Sequence, residues 1–146
     1  MNEERKKELA AVRAVMQAEG IRPRRQKTAS SGRFHYSRMD DRGRIRSLGF
    51  EWDGAGFDEN GRLIIIEAEL NGSLNASHIQ GHLARLPLMI SSGDCVEEII
   101  WVIRPSKKRQ LTDIISDWMI FSEPSLRIKM PRMVIESPEG EPIQRM

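Results

Sequence analysis

In FEWDGAGFDENGRLIIIEAEL, residues 50–70, two β-type segments flank the pair Asn60-Gly61, a strong short-range signal for a hairpin. The second segment carries Ile64-Ile65-Ile66. That triplet leaves no polar face, so it predicts a central strand covered on both sides. Glu67 and Glu69 end this strand and share one face, with Ala68 opposite, because strand side chains alternate. Asp53 lies on the preceding segment, and antiparallel pairing through the turn is expected to bring it opposite about residue 68. Burying three carboxylates so close together is costly unless something pairs with them. Asp53 and Glu67 are therefore expected to share one hard cation, Mg2+ or Mn2+, since magnesium keeps several waters and uses only one or two protein carboxylates. Glu69 is expected to bind a second ion or to hold a water as general base. The bland alternative is that such a spacing arises by chance in a chain with 21 acids.

Outward from this stretch, Arg44–Gly54 reads as one strand leading into the turn. Residues 3–18 read as a helix, with Leu9, Val12, Val15 and Met16 at helical spacing and Gly20 as a stop signal. Residues 20–46 have little apolar content and read as a basic, flexible connector with a short strand near Arg33–Ser37. After the acidic strand, residues 71–89 place Ala76, Ile79, Leu83 and Leu86 on one helical stripe, with Ser73 or Asn75 as cap and Pro87 near the end. Residues 96–105 read as another buried strand and 109–123 as a second amphipathic helix. Residues 125–137 suggest a final strand or strand pair near a sheet edge, because Pro131 interrupts it. Residues 139–146 are expected to be a disordered tail. A strand–helix–strand unit over residues 63–104 implies a parallel pair joined by a right-handed crossover. The class expected is α/β: a single domain, residues 1–146, with a mixed central sheet flanked by helices.

A chain of 146 residues suits one domain with one core. With 39% hydrophobic and 30% charged residues, wholesale disorder is not expected. No window reaches the roughly 18 apolar residues of a membrane span, and the N-terminus lacks the apolar core of a signal peptide. The lone Cys95 excludes an internal disulfide and is expected to be a small buried residue. A cytoplasmic, reducing compartment without membrane attachment is the simplest reading.

The net charge is only +2, yet basic residues cluster at 22–27, 42–46, 104–109 and 127–132, while acids concentrate between Asp53 and Glu69. That split suits a polyanion binder with a cation-attracting pocket, although charge runs also occur simply as solvated surface. Arg24, Arg25, Lys27, Lys107, Lys108 and Arg109 are the expected phosphate contacts. His78 and His82, four residues apart, and Arg85 form a stripe beside the apolar one. They are expected either to overhang the pocket and contact a phosphate or metal, or to make interfacial hydrogen bonds. A zinc-protease helix would carry glutamate beside the first histidine, where this chain has Ile79. Trp52 either walls the acidic site or packs under the hairpin. Gly81 permits close helix–strand packing or is a tolerated helix glycine, and Trp101 and Trp118 are expected in the core.

The combination of Trp52-Asp53-Gly54, Leu63–Leu70, His78–Leu86 and Val96–Ile103 resembles the core of the PD-(D/E)XK nuclease superfamily, over about residues 3–104. The resemblance implies a restriction-endonuclease-like fold with an αβββαβ core. It also implies a metal-dependent endonuclease that hydrolyses DNA phosphodiester bonds. It carries Asp53 onto the family's first acid and Glu67 onto the second. Glu8 on the first helix is implied as an accessory metal ligand. Glu69 stands where the family usually has lysine, and some restriction endonucleases resemble this chain in that respect. A homodimer acting on both strands is the expected assembly. The alternative is a catalytically inactive nuclease-like domain that binds nucleic acid or a protein partner.

Overall fold

A computed structural model of the chain describes residues 2–24, 32–122 and 130–145. Helix α1 spans Glu3–Ala18. The Asn2 side chain accepts from Arg5 N, and Glu3 and Glu4 sit at the positive end of the helix, where acids are favoured. Gly20, at φ +67°, turns the chain into β1 (Arg22–Pro23). The strands β2 (Gly32–Met39), β3 (Ile45–Trp52), β4 (Gly54–Phe57) and β5 (Leu63–Glu69) follow, then α2 (Ala76–Ser91) and β6 (Val96–Ile103). A short 3-10 turn (Pro105–Lys107) leads into α3 (Lys108–Phe121), and β7 (Arg132–Glu136) and β8 (Pro142–Arg145) close the chain.

Six strands form one mixed sheet in the order β1-β4-β5-β6-β7-β8. β5, β6 and β7 are parallel to one another, and the other neighbours are antiparallel. β2 and β3 form a separate two-stranded ribbon. The isoleucine triplet decides the layering. Ile64 and Ile66 join Val12, Val15 and Met16 of α1 on one face of the sheet, while Ile65 joins Ile79, Leu83 and Leu86 of α2 on the other. Each such side chain contributes about 1.5–3 kcal/mol when fully buried. The chain is thus a single-domain mixed α/β protein with three α-helices. Among the described residues, no helix is long and apolar enough to cross a membrane.

The segment read as one strand over 44–54 is broken at Asp53. β3 belongs to the ribbon, and only Gly54–Phe57 pairs with β5, with Gly54 opposite Ile66. Gly54 lies against α1, where a Cβ would come within 2.7 Å of Val12 Cγ1, so the backbone leaves the ribbon to fit under the helix. The connector expected over 20–46 contains β1, β2 and the start of β3, while residues 25–31 lie outside the described residues. Within the expected tail, Pro142–Arg145 forms β8, which pairs with β7, so β7 is not an edge strand. The part of 125–137 before Met130 lies outside the described residues. Asn75 caps α2, which runs four residues past Pro87 because buried Met89 anchors its last turn. Cys95 is exposed, and a Cβ at Gly81 would meet nothing within 4 Å, so neither serves packing. Trp101 is fully buried, and Trp118 packs against the core from a half-buried position.

Candidate metal centre

The β4–β5 register sets Asp53 beside Glu67, one residue short of the position expected from the turn. The Asp53 main-chain N–H donates to Glu67 Oε2 at 3.1 Å, and the Ala68 N–H donates to Asp53 Oδ2 at 2.8 Å. The other Asp53 oxygen, Oδ1, accepts a short hydrogen bond from the Arg5 guanidinium of α1. Glu8, one helical turn on, pairs with Arg5 at 3.7 Å and accepts from Leu70 N at 3.1 Å. Its carboxylate thus ties α1 to the end of β5.

Glu67 and Glu69 point to the sheet face covered by α2, since Ile64, Ile66 and Ala68 occupy the α1 face. Their partners are the two histidines of α2, brought to one side by the i,i+4 spacing. His82 Nε2 lies 3.0 Å and His78 Nε2 3.5 Å from Glu67 Oε1, while His78 Nε2 lies 3.0 Å from Glu69 Oε1. Glu67, His78 and His82 each offer one ligand atom, all within 4.8 Å of one another. His82 is 4% exposed, whereas His78 opens to solvent. Trp52 covers His82, ring centroids 4.6 Å apart, and meets Trp101 edge-on at 6.2 Å, so it both walls the site and joins the core.

The cluster divides its charge. Burial and the neighbouring Glu67 push Asp53 up to about 6, against Arg5 and the Ala68 N–H. Burial, reinforced by Glu67, raises Glu69 to about 7. Glu67 is itself deeply buried, yet the adjoining His78 and His82 rings prevail and hold its carboxyl below the usual range. The Glu67 carboxylate, outweighing partial burial, raises His78. Glu67 is thus the fixed negative centre around which the others titrate.

Two buried polar atoms at this cluster, His82 Nε2 and Glu69 Oε1, make no hydrogen bond within the described residues although each has an ion-pair neighbour at 3.0 Å. The separations are short but not aligned for hydrogen bonding. Around a metal with bonds of about 2.0–2.2 Å, donor atoms stand roughly 3.0–3.5 Å apart. The two Glu67–imidazole distances, 3.5 and 3.0 Å, fall in that range, and the three ligand atoms lie within 4.8 Å of one another. The contact from Arg85 Nη1 to His82 Nδ1, at 3.5 Å, is too long to fix which ring nitrogen carries the proton.

The other expected site residues lie apart. Arg24 lies over the Phe34 ring at 4.3 Å and 4.0 Å from Asp94, holding the ribbon to the core. Arg85 lies over Phe50 at 5.5 Å. Lys107 is half-buried and Lys108 and Arg109 are exposed where β6 passes into α3. The adjacent Arg104 donates to Leu70 O at 2.9 Å, which puts this basic turn at the same end of the sheet as Glu69. Arg25 and Lys27 lie outside the described residues. Arg5 lies outside the expected set of site residues; its one local signal is its place three residues before Glu8 on the same helix face.

Comparison of the chain with protein-family models, curated proteins and solved structures finds no match.

Proposed function

We propose that the chain is a divalent-metal-dependent nuclease acting on DNA, with its centre at Glu67. The observation that carries the reading is the pairing of Asp53 and Glu67 across adjacent strands, each carboxylate fixed by a main-chain N–H beside the other. The element order supports it. α1 is followed by β1, β4 and β5 as antiparallel neighbours, then by α2 and a β6 parallel to β5. That is the αβββαβ order implied by the PD-(D/E)XK resemblance, with the β2–β3 ribbon inserted between the first and second core strands.

The donor set argues for the ion. Two imidazoles beside carboxylates favour a transition metal such as Mn2+ over Mg2+, which prefers an all-oxygen shell. Glu67, His78 and His82 would hold it, with Glu69 adjacent and Asp53 able to join when Arg5 yields Oδ1. When bound, the ion would neutralise phosphate charge and acidify a water. Glu69 would take the proton of that water, whose oxygen bonds to phosphorus as the bond to the leaving sugar oxygen breaks. Glu69, itself partly exposed, would release that proton to solvent. Lys107, Lys108 and Arg109 would hold the backbone of the substrate.

One observation favours a second reading. Arg5 already neutralises Asp53, and Glu69 replaces the lysine of the family motif. A metal-free domain of this kind would bind nucleic acid or a protein without cutting. Plasmid cleavage in Mn2+ separates the two. The nuclease reading expects nicking by the wild type, stopped by chelator and lost in Asp53→Ala and Glu67→Ala. Retained DNA binding with no metal-dependent cutting by the wild type supports the second reading.

A further inference from the structure

We infer that the β2–β3 ribbon enters a groove of duplex DNA and is the element that positions the substrate. For the identity of the polyanion this rests on the nuclease reading above. The ribbon is a sheet of its own, paired in register from Gly32↔Trp52 to Met39↔Ile45. Its base is fixed to the core: Phe34 and Phe50, buried partners across the ribbon, join the α2-side core cluster, and the Tyr36 hydroxyl donates to Asp94. In its distal half, Arg38 and Arg46 line a cleft against Leu88 and Ser91 of α2, and the tip beyond them is not covered. Met39 and Ile45 are 70% and 71% exposed.

The charge of that distal half is set against itself. Arg38 stands directly opposite Arg46 on the face turned toward α2, a like-charge pair eased by the 3.5 Å contact from Arg38 to the Ser91 carbonyl oxygen. Arg42 and Arg44 add two more cations at the turn. Of the two acids there, Asp40 is committed to the turn, its Oδ1 accepting from Arg42 N and Arg44 N at 2.9 Å each. Among the described residues no carboxylate lies within ion-pair distance of these four arginines, whereas Arg33 at the base is paired with Glu51. The opposite face carries Ser37 against Ser47, hydroxyls 3.1 Å apart, and His35 against Gly49. Two strands about 4.8 Å apart fit a major groove about 12 Å wide.

The ribbon also runs straight out of the metal centre, because Trp52 is its last residue and Asp53 follows. Arg46 lies seven positions before Asp53, a reach of at most about 23 Å along an extended strand. At about 3.4 Å per base step, the arginine pair would grip the duplex about seven base pairs from the phosphate at the acids.

Fluorescence anisotropy with a duplex of thirty base pairs, in chelator so that no cutting occurs, tests this. The variants are Arg38→Ala/Arg46→Ala and Arg42→Ala/Arg44→Ala, both surface changes whose folding is checked by thermal melting. Each is expected to bind at least tenfold more weakly than wild type at about 0.1 M salt. The slope of log K against log salt should fall by about 1.8, the loss of two phosphate contacts. Unchanged affinity and slope in both variants, beside a wild type that binds and cuts DNA, would overturn the ribbon and leave the nuclease reading standing. Weakened binding in the variants without any cleavage by wild type would keep the ribbon and remove the nuclease. Tighter binding of single strands than of duplex, or no DNA binding by wild type, would also overturn the ribbon.

Discussion

Asp53 and Glu67 are locked together through the backbone: the N–H of Asp53 donates to Glu67 Oε2 at 3.1 Å, and the N–H of Ala68 returns a bond to Asp53 Oδ2 at 2.8 Å. Main-chain donors move only with the strands that carry them, so the two acids hold their spacing without depending on rotamer choice. The geometry of the centre is therefore a property of the β4–β5 pairing.

That relationship separates the structural cost of a substitution from its chemical cost. Asp53→Ala leaves the buried Ala68 N–H without its acceptor and Arg5 with only the longer contact to Glu8, and should destabilise the fold by about 1–3 kcal/mol. Asp53→Asn keeps an oxygen for Ala68 and should cost less. Urea unfolding measures both. If the acid is the reacting group, cleavage is lost equally in the two variants despite their different stabilities.

The titration of the cluster gives stability a definite pH dependence. For Glu69 and Asp53 the folded state binds the proton more tightly than the unfolded chain, with folded values of about 7 and about 6. Between the unfolded carboxyl range and those values the folded form carries more protons, so stability falls as pH rises. His78, raised by Glu67, acts in the same direction, its contribution being lost as pH rises through its folded value. Glu67, lowered, contributes above its unfolded value and loses that contribution only in acid. Melting curves from pH 5 to pH 8 should show declining stability, and Glu69→Gln should flatten the decline. A profile in the variant identical to wild type would contradict this assignment.

In the proposed metal site, Arg5 and the cation would compete for Asp53 Oδ1. Removing the guanidinium in Arg5→Ala should lower stability without metal, because Asp53 then faces Glu67 uncompensated, and should enlarge the thermal shift produced by Mn2+. Equal shifts in wild type and variant would mean that Asp53 takes no part in binding the ion.

Much of the scaffold was legible from local pattern, and the misses share one cause. The isoleucine triplet fixed β5 as a two-sided strand, and the apolar stripes of α1, α2 and α3 read directly as helices. Chain direction was legible at the antiparallel β4–β5 turn and the parallel β5–β6 crossover, but not where the chain passes from one sheet to the other. The segment Arg44–Gly54 has continuous β character, and it breaks at Asp53 only because Gly54 must pass under Val12 while Trp52 pairs back to Gly32. His78 and His82 were seen as one stripe, but which acids they meet depends on how the crossover seats α2 over β5. Arg5 reaches Asp53 from 48 residues away, and its place beside Glu8 on α1 does not say which strand acid it meets.

Gly56 offers a check on that scaffold independent of the chemistry. A Cβ there would come within 2.2 Å of the Arg22 carbonyl oxygen, which is main chain and cannot swing aside. Gly56→Ala should therefore push β1 off β4 and destabilise the protein by about 1–3 kcal/mol, as overpacking does. A variant with wild-type stability by urea unfolding would contradict the β1–β4 pairing.

Every chemical step in this account depends on a divalent ion at Glu67, and calorimetric titration of Mn2+ into wild type and Glu67→Gln at pH 8 addresses that directly. The account predicts saturable binding to wild type, weaker binding of Mg2+, and no binding of Mn2+ to the variant. No heat of binding in wild type, or equal affinity in both proteins, would contradict it.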